Sequence, residues 1–253
     1  MLKALKNLLA FLTVLPLRMD MDCLADSARL MYLFPLVGAL LGLIAGAFGW
    51  LGLQFLPSLV VGGLVLGLLL LLTGLHHTDG LLDFGDAVMF HGSAERKIKI
   101  MHDQLTGAGA VGLGLVTYLV TAFGFTSLSS AVIVQGLVVV ELSAKLSMVV
   151  GAWAGKSVHK GMSSTFLDAM HGKGGGARLA AALALSFGVA MPLLGFSGFW
   201  FAGLFTVLAA VFAGLVMVAV AHRHFKGVTG DVLGASNELV RMVAVVVLLA
   251  MLR

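Results

Sequence analysis

Three stretches of this chain contain no Asp, Glu, Lys or Arg: between Arg29 and Asp79, between Asp103 and Glu141, and between Arg178 and Arg223. Each is long enough for two apolar helices of about 20 residues, the length that crosses roughly 30 Å of hydrocarbon. Each also has a turn signal near its middle, at Gln54–Ser58 with Pro57, at Thr126–Ser130 and at Gly195–Gly198. The pattern predicts an all-α polytopic integral membrane protein built from three hairpins, 31–53 with 58–75, 107–126 with 130–153, and 178–195 with 199–221. A last apolar run, Leu239–Leu252, is short for a span and contains Arg241, so the expected count is six or seven membrane helices.

Composition narrows the function classes. Of the 253 residues 60% are hydrophobic and only 11% charged, where a soluble domain carries about a quarter charged. That excludes an ordinary soluble enzyme, a disordered chain and a nucleic-acid binder, and the length suits one membrane domain, 1–253. The single cysteine, Cys23, leaves no disulfide framework and no multi-thiolate metal site.

The hairpin tips are uncharged, so every charged segment falls on the other side: the N-terminal stretch, 76–106, 154–178 and 222–238. The excess of Lys and Arg there, net charge +4, records orientation and predicts a multi-pass protein of the inner membrane whose active-site loops face the cytoplasm. Met1–Leu17, with Lys3 and Lys6 ahead of an apolar stretch, reads as an interfacial amphipathic helix ended by Pro16. No small-residue cleavage site follows the apolar run, which disfavours a signal peptide.

Polar residues are scarce in such a chain, so their clusters are informative. In His76-His77-Thr78-Asp79-Gly80-Leu81-Leu82-Asp83-Phe84-Gly85-Asp86, a helix would put Asp79, Asp83 and Asp86 at i, i+4 and i+7, on one face. Carboxylates so spaced repel unless something neutralises them. A hard divalent cation would do so, and magnesium is commonly shared between carboxylates and substrate phosphates. Gly80 and Gly85 would leave room for a phosphate-bearing substrate to approach the backbone. His76 and His77 suit proton transfer, metal ligation or interface anchoring. A solvated acidic loop that merely ends a helix is the plain alternative.

A second cluster, Glu95-Arg96-Lys97-Ile98-Lys99-Ile100-Met101-His102-Asp103, could add a fourth carboxylate, Asp103, and its cations could hold phosphate or simply mark the cytoplasmic side. A third, Gly227-Val228-Thr229-Gly230-Asp231-Val232-Leu233-Gly234-Ala235-Ser236-Asn237-Glu238, has the glycine-rich character that exposes backbone N–H groups to anions. Glu141 and Lys145, at i, i+4 inside an apolar run, call for a mutually neutralised pair or a polar cavity. The loop 155–178, with Lys156, His159, Lys160, Lys173 and Gly174-Gly175-Gly176, reads as a mobile cationic segment able to close over an anion, or as a linker.

These residues resemble the cobalamin synthase family, the adenosylcobinamide-GDP ribazoletransferases. Gly74–Asp86 resembles the family's H-x-D-G-L-x-D-x-x-D block, Ile100-Met101-His102-Asp103 with Gly107 its I-M-x-D segment, and Gly230–Glu238 its G-D-V-L-G-A block. Phe11-Leu12-Thr13-Val14-Leu15-Pro16 is similar to the family's opening.

The resemblance implies a magnesium-dependent membrane transferase. It would join adenosylcobinamide-GDP to α-ribazole or its 5′-phosphate, with GMP leaving. It also implies roles for named residues. Asp79, Asp83 and Asp86 would hold the metal, with Asp103 or Asp231 completing the site. His77 or a carboxylate, Asp79, Asp83 or Asp103, would take the hydroxyl proton. His76, Lys99, Lys156, Lys160, Asp231, Asn237 and Glu238 would contact substrate. Lys145 and the His159-Lys160 pair stand where the family often has arginines.

Other readings are a CDP-alcohol phosphotransferase, which would need Ala-Arg after Asp79-Gly80, a cation or solute transporter centred on Glu141 and Lys145, and a membrane scaffold. The lipid bilayer is a partner in all of them, nucleic acid in none, and a homo-oligomer is left open.

Overall fold

The computed structural model describes every residue, 1–253, and is helical throughout, with no strand. Six helices are long and apolar enough to cross a membrane: α3 (Phe34–Gly52), extended at its start by a 3-10 turn at Met31–Leu33, α7 (Ala108–Thr126), α8 (Ile133–Ala154), α10 (Gly175–Gly195), α11 (Trp200–Phe225) and α12 (Gly230–Met251). The shorter α4 (Ser58–Leu72) has 15 residues, a rise of about 22 Å. It ends at a break beyond which α5 (His76–Met89) sets off at 97° to it. The hairpins thus follow the charge-free stretches.

Two boundaries depart from the sequence reading. The hairpin arm expected over 58–75 stops at Leu72, because Gly74 (φ 63°) and Leu75 (φ 61°) both take the left-handed conformation and reverse the chain sharply. The final run is not short. α12 starts at Gly230, capped by Thr229, whose Oγ1 accepts from the Val232 amide at 3.3 Å. It is full-length because its polar first half, residues 232–238, is buried against other helices and not against lipid.

α8 is the axis of the bundle, packed on α3, α10, α11 and α12 and buried along nearly its whole length. Close approach by α3 requires glycine: a Cβ on Gly38 or Gly42 would lie 2.3 Å from the carbonyl oxygen of Glu141 or Leu137. Small residues at such crossings are how helices pack when lipid is as apolar as their side chains. Outward-facing Phe48, Trp50, Phe123 and Phe212 are exposed, a surface suited to hydrocarbon.

Short helices gather at one end of the bundle. α1 (Leu2–Leu12) packs on α2 (Cys23–Arg29), with Lys3 bonded to Asp22 at 2.9 Å and Asn7 to Asp26 at 2.9 Å. α1 ends at Leu12, four residues before Pro16, where Thr13 turns extended and its hydroxyl donates back to the Leu9 carbonyl. The Val14 amide then donates to the Leu72 carbonyl at 2.8 Å, tying this N-terminal unit to the end of α4. α6 (Ala94–Met101) and α9 (Met162–His171) complete the same end.

The segment 155–178 carries one helix, α9, between α8 and α10. Its three glycines form a tight α9–α10 junction: Gly174 has φ 85°, and a Cβ on Gly175 would collide with the Met170 carbonyl oxygen.

Candidate active site

The sharp turn at Gly74–Leu75 lays α5 across the end of the bundle, between α12 and α7. Gly80 and Gly85 make that seat. A Cβ on Gly80 would come within 2.9 Å of the Asp231 carbonyl oxygen, and one on Gly85 within 2.9 Å of the Gly109 oxygen. These glycines therefore serve helix–helix contact, not substrate approach, and Gly80 brings Asp231 from the far end of the sequence up against α5.

As the spacing predicted, Asp79, Asp83 and Asp86 lie on one face of α5. They line a cleft of about 370 Å³ together with Asp103, Asp231 and His102. No Lys or Arg lines it. Asp83 is half-buried, and its carboxyl is pushed up to about 7, first by burial and then by the charges of Asp79, Asp231 and Asp86. Three other carboxylate charges thus bear on Asp83, while Asp103 stands exposed on the wall contributed by the segment after α6.

Beside the cleft is a second cavity, of about 460 Å³, with mostly apolar walls. Phe11 and Leu12 of α1, Met31 and Phe34 at the start of α3, and Met148 of α8 form one part; Met162 and Phe166 of α9 and Leu233 of α12 form another. Asp79 and Asp231 belong to both walls, so the apolar cavity opens onto the acidic cleft where those two carboxylates stand. Met162 at its edge is 62% exposed. His77 lines the apolar side and is 6% exposed, and its Nδ1 is buried without a hydrogen-bond partner. Burial, then the cations Lys145 and Arg241, hold its pKa well below the usual histidine value.

The remaining sequence candidates are distributed unevenly. His76 shares the apolar cavity wall but is itself exposed. Lys99, Lys156 and Lys160 are exposed and line neither space. The Lys156 amide donates to His222 Nε2 at 3.1 Å and its carbonyl accepts from Val228. Lys97 of the basic cluster also lines neither space; it is buried and bonded to the Val88 carbonyl and to His224 Nδ1 at 2.8 Å.

Asn237 and Glu238 are sealed in the core, 0% and 1% exposed, where Asn237 accepts from Lys145 Nζ at 2.7 Å and donates to Glu238 Oε1 at 2.9 Å. Glu141 is not paired with Lys145 as the i, i+4 spacing suggested. It takes both Arg241 Nε, at 2.5 Å, and Nη2, at 3.0 Å, because Arg241 offers a planar fork that lysine lacks.

The donor chemistry of the cleft, carboxylate oxygens without a thiolate, fits a hard cation such as magnesium. No three His, Cys, Asp or Glu side chains are drawn together at metal-ligand spacing. The chain would then supply one or two carboxylates and a phosphate-bearing ligand the rest, the usual division for magnesium.

Asp86 already has other work. Its two oxygens accept from the Gly107 amide at 2.6 Å and the Ala110 amide at 2.9 Å, capping α7. The glycines at 107 and 109 admit this contact: a Cβ on Gly107 would sit 2.7 Å from Asp86 Oδ1. Replacing Asp86 by Ala is expected to cost about 1 kcal/mol through the lost cap, whereas Asp86→Asn, which keeps an acceptor oxygen, loses about half of that or less. Melting curves of the two variants in detergent measure the difference.

Comparison with known proteins bears on what such a site does. The family model described as CobS, cobalamin-5-phosphate synthase, matches residues 4–249. The chain is 32% identical to the adenosylcobinamide-GDP ribazoletransferase of Methanosarcina barkeri over 266 residues, covering 100% of this chain and 93% of that protein. It is 31% identical to that of Methanococcoides burtonii, covering 98% of this chain and 92% of that protein, and 32% identical to that of Methanocella arvoryzae, covering 100% and 97%. No solved structure matches the chain.

Proposed function

The chain belongs to the CobS, cobalamin-5-phosphate synthase, family, and from that premise we propose that it transfers a ribazole nucleoside onto adenosylcobinamide-GDP at the junction of the two cavities. The observation that carries this reading is the pair Asp79 and Asp231, which walls both an apolar cavity and an acidic cleft. A reaction between a nucleoside and a nucleotide diphosphate needs those two surroundings side by side.

The oxygen of a ribose hydroxyl attacks the phosphorus next to the corrinoid's aminopropanol arm. A P–O bond forms, the P–O bond to GMP breaks, and GMP departs with the electron pair. The product is adenosylcobalamin, or its 5′-phosphate when the acceptor carries one. Such transfers depend mainly on positioning and on neutralising phosphate charge. Magnesium, held by one or two of the carboxylates Asp79, Asp83 and Asp231 with the substrate's phosphates, would supply that neutralisation.

Asp103, exposed on the cleft wall that follows α6, is the proton acceptor for the hydroxyl. His77 is a poor base, because burial and two nearby cations keep its ring neutral. The concentration of Lys and Arg at this end of the bundle supports a cytoplasmic orientation in the inner membrane. A CDP-alcohol phosphotransferase and a transporter are not favoured. The residues a transporter would need, Glu141 and Lys145, are fully buried in a bonded network.

The test is product formation by purified protein in detergent, supplied with adenosylcobinamide-GDP and α-ribazole 5′-phosphate. Cobalamin phosphate is expected with magnesium and not with EDTA, and Asp79→Ala is expected to reduce the rate at least a hundredfold. Full activity in EDTA would remove the metal from the reading. Absence of product with folded protein and magnesium would remove the transfer itself.

A further inference from the structure

The acidic cleft accounts for the diphosphate, but the apolar cavity beside it has no assigned occupant. Resting on the transferase reading, we infer that this cavity is the acceptor site, taking the flat, mostly apolar heteroaromatic base of the ribazole nucleoside with its ribose directed toward Asp79 and Asp231.

Size separates the two substrates. A space of about 460 Å³ is at the small end of the range for ligand pockets, roughly 300–1,000 Å³. It admits one nucleoside, whereas a corrinoid with its side arms is several times larger. Wall chemistry agrees. The methionines at 31, 148 and 162 are adaptable surfaces for a ring, and Phe34 and Phe166, with centroids 5.8 Å apart and edge-on, together with Phe11 give it aromatic neighbours.

One polar atom on this wall lacks a partner. Buried polar groups are nearly always bonded, yet His77 Nδ1 is buried and free. A neutral imidazole can carry its proton on that nitrogen and donate it to a ring-nitrogen acceptor of the base. The shared wall completes the geometry, since a base seated in the cavity can direct its sugar toward Asp79 and Asp231, the two carboxylates that line both spaces.

Equilibrium dialysis of labelled α-ribazole against detergent-solubilised protein, in EDTA and without corrinoid, tests this with no turnover involved. Met162 is exposed at the cavity edge, so Met162→Trp narrows the space with little risk to folding, and Met162→Ala widens it. We expect Met162→Trp to weaken α-ribazole binding at least tenfold while adenosylcobinamide-GDP binding in magnesium is unchanged, and Met162→Ala to bind within about threefold of wild type.

His77→Phe is expected to weaken α-ribazole about 3- to 10-fold, the loss of one neutral hydrogen bond, and to leave unchanged a nucleoside whose base lacks the ring nitrogen. If Met162→Trp weakens corrinoid binding instead, the cavity holds part of the corrinoid and the inference is overturned. If neither substrate responds but less lipid co-purifies with Met162→Trp, the occupant is an acyl chain, and it is overturned again. The transfer itself is read separately: wild-type product with α-ribazole binding indifferent to Met162 removes this inference alone. Cavity binding without product under any condition removes the transfer and leaves the cavity assignment in place.

Discussion

Asp83→Asn is expected to give a protein that is more stable than the wild type at pH 8 in EDTA and yet inactive. The amide matches the carboxylic acid in shape but carries no charge, so it relieves the repulsion among Asp79, Asp83, Asp86 and Asp231 while providing a far weaker metal ligand. The loss of turnover should be on the order of a hundredfold or more, the range for removing a group that positions and neutralises phosphate. A variant that melts higher and does not turn over separates a functional acidic cluster from a structural one. If Asp83 were only a helix-ending surface residue, neither quantity would move.

The pH dependence follows from the same carboxyl. Its value in the folded protein, about 7, lies above the 3.8 of a free aspartate, so the folded state prefers Asp83 protonated. The associated stability is fully present below about pH 4 and is lost as pH rises through 7. Because Asp83 is only half-buried, solvent screening leaves on the order of 1 kcal/mol of the full linkage. Wild-type protein in EDTA should therefore melt lower at pH 8 than at pH 6, Asp83→Asn should lose most of that slope, and magnesium should flatten it in the wild type. A wild-type slope of the opposite sign would mean that Asp83 is already charged and compensated in the metal-free protein.

What could be read in the sequence, and what could not, has a physical dividing line. Spans follow from composition alone, so the charge-free stretches located the hairpins. The one-face arrangement of Asp79, Asp83 and Asp86 follows from helical period and is seen on α5. Contributions that cross the sequence were not legible in the same way. Asp231 reads as a site residue only through the family resemblance, because its approach to α5 depends on the Gly80 contact and on the left-handed turn at Gly74–Leu75. The apolar cavity has no signature in the sequence, since Phe11, Phe34 and Phe166 each look like ordinary membrane-protein apolar residues. The one available signal was His77, a histidine followed by a metal-type motif but destined for an apolar wall. Asp86 fits the acidic pattern equally well, and only the amides of Gly107 and Ala110 reveal its capping role.

Arg241→Met is expected to be among the most destabilising single changes in the chain. Arg241 is fully buried and holds both oxygens of Glu141 with its Nε and Nη2 and one oxygen of Glu238 with its Nη1. Asn237 bridges Glu238 to Lys145, so two acids and two bases make a neutral set inside the bundle. Methionine fills much of the volume but strands two carboxylates near each other with one lysine, and breaking a buried pair in this way costs about 3–5 kcal/mol.

Replacing the ions together behaves differently, because the penalty comes from uncompensated charge and not from missing attraction. The quadruple variant Glu141→Gln, Lys145→Met, Glu238→Gln, Arg241→Met is therefore expected to recover at least half of the lost stability, judged by denaturant midpoint in detergent. Asn237→Ala distinguishes the network from a substrate contact. If Asn237 works through Lys145 and Glu238, the variant loses stability with the Michaelis constants for both substrates within about twofold of wild type; a wild-type midpoint with a raised constant for either substrate would return Asn237 to the binding site. The joining of α8 to α12 by these groups also explains how a chain with so few charges can hold Asp231 steady at the head of α12. Three turns below it, Arg241 anchors the helix to Glu141, and the site's position is inherited from that anchor.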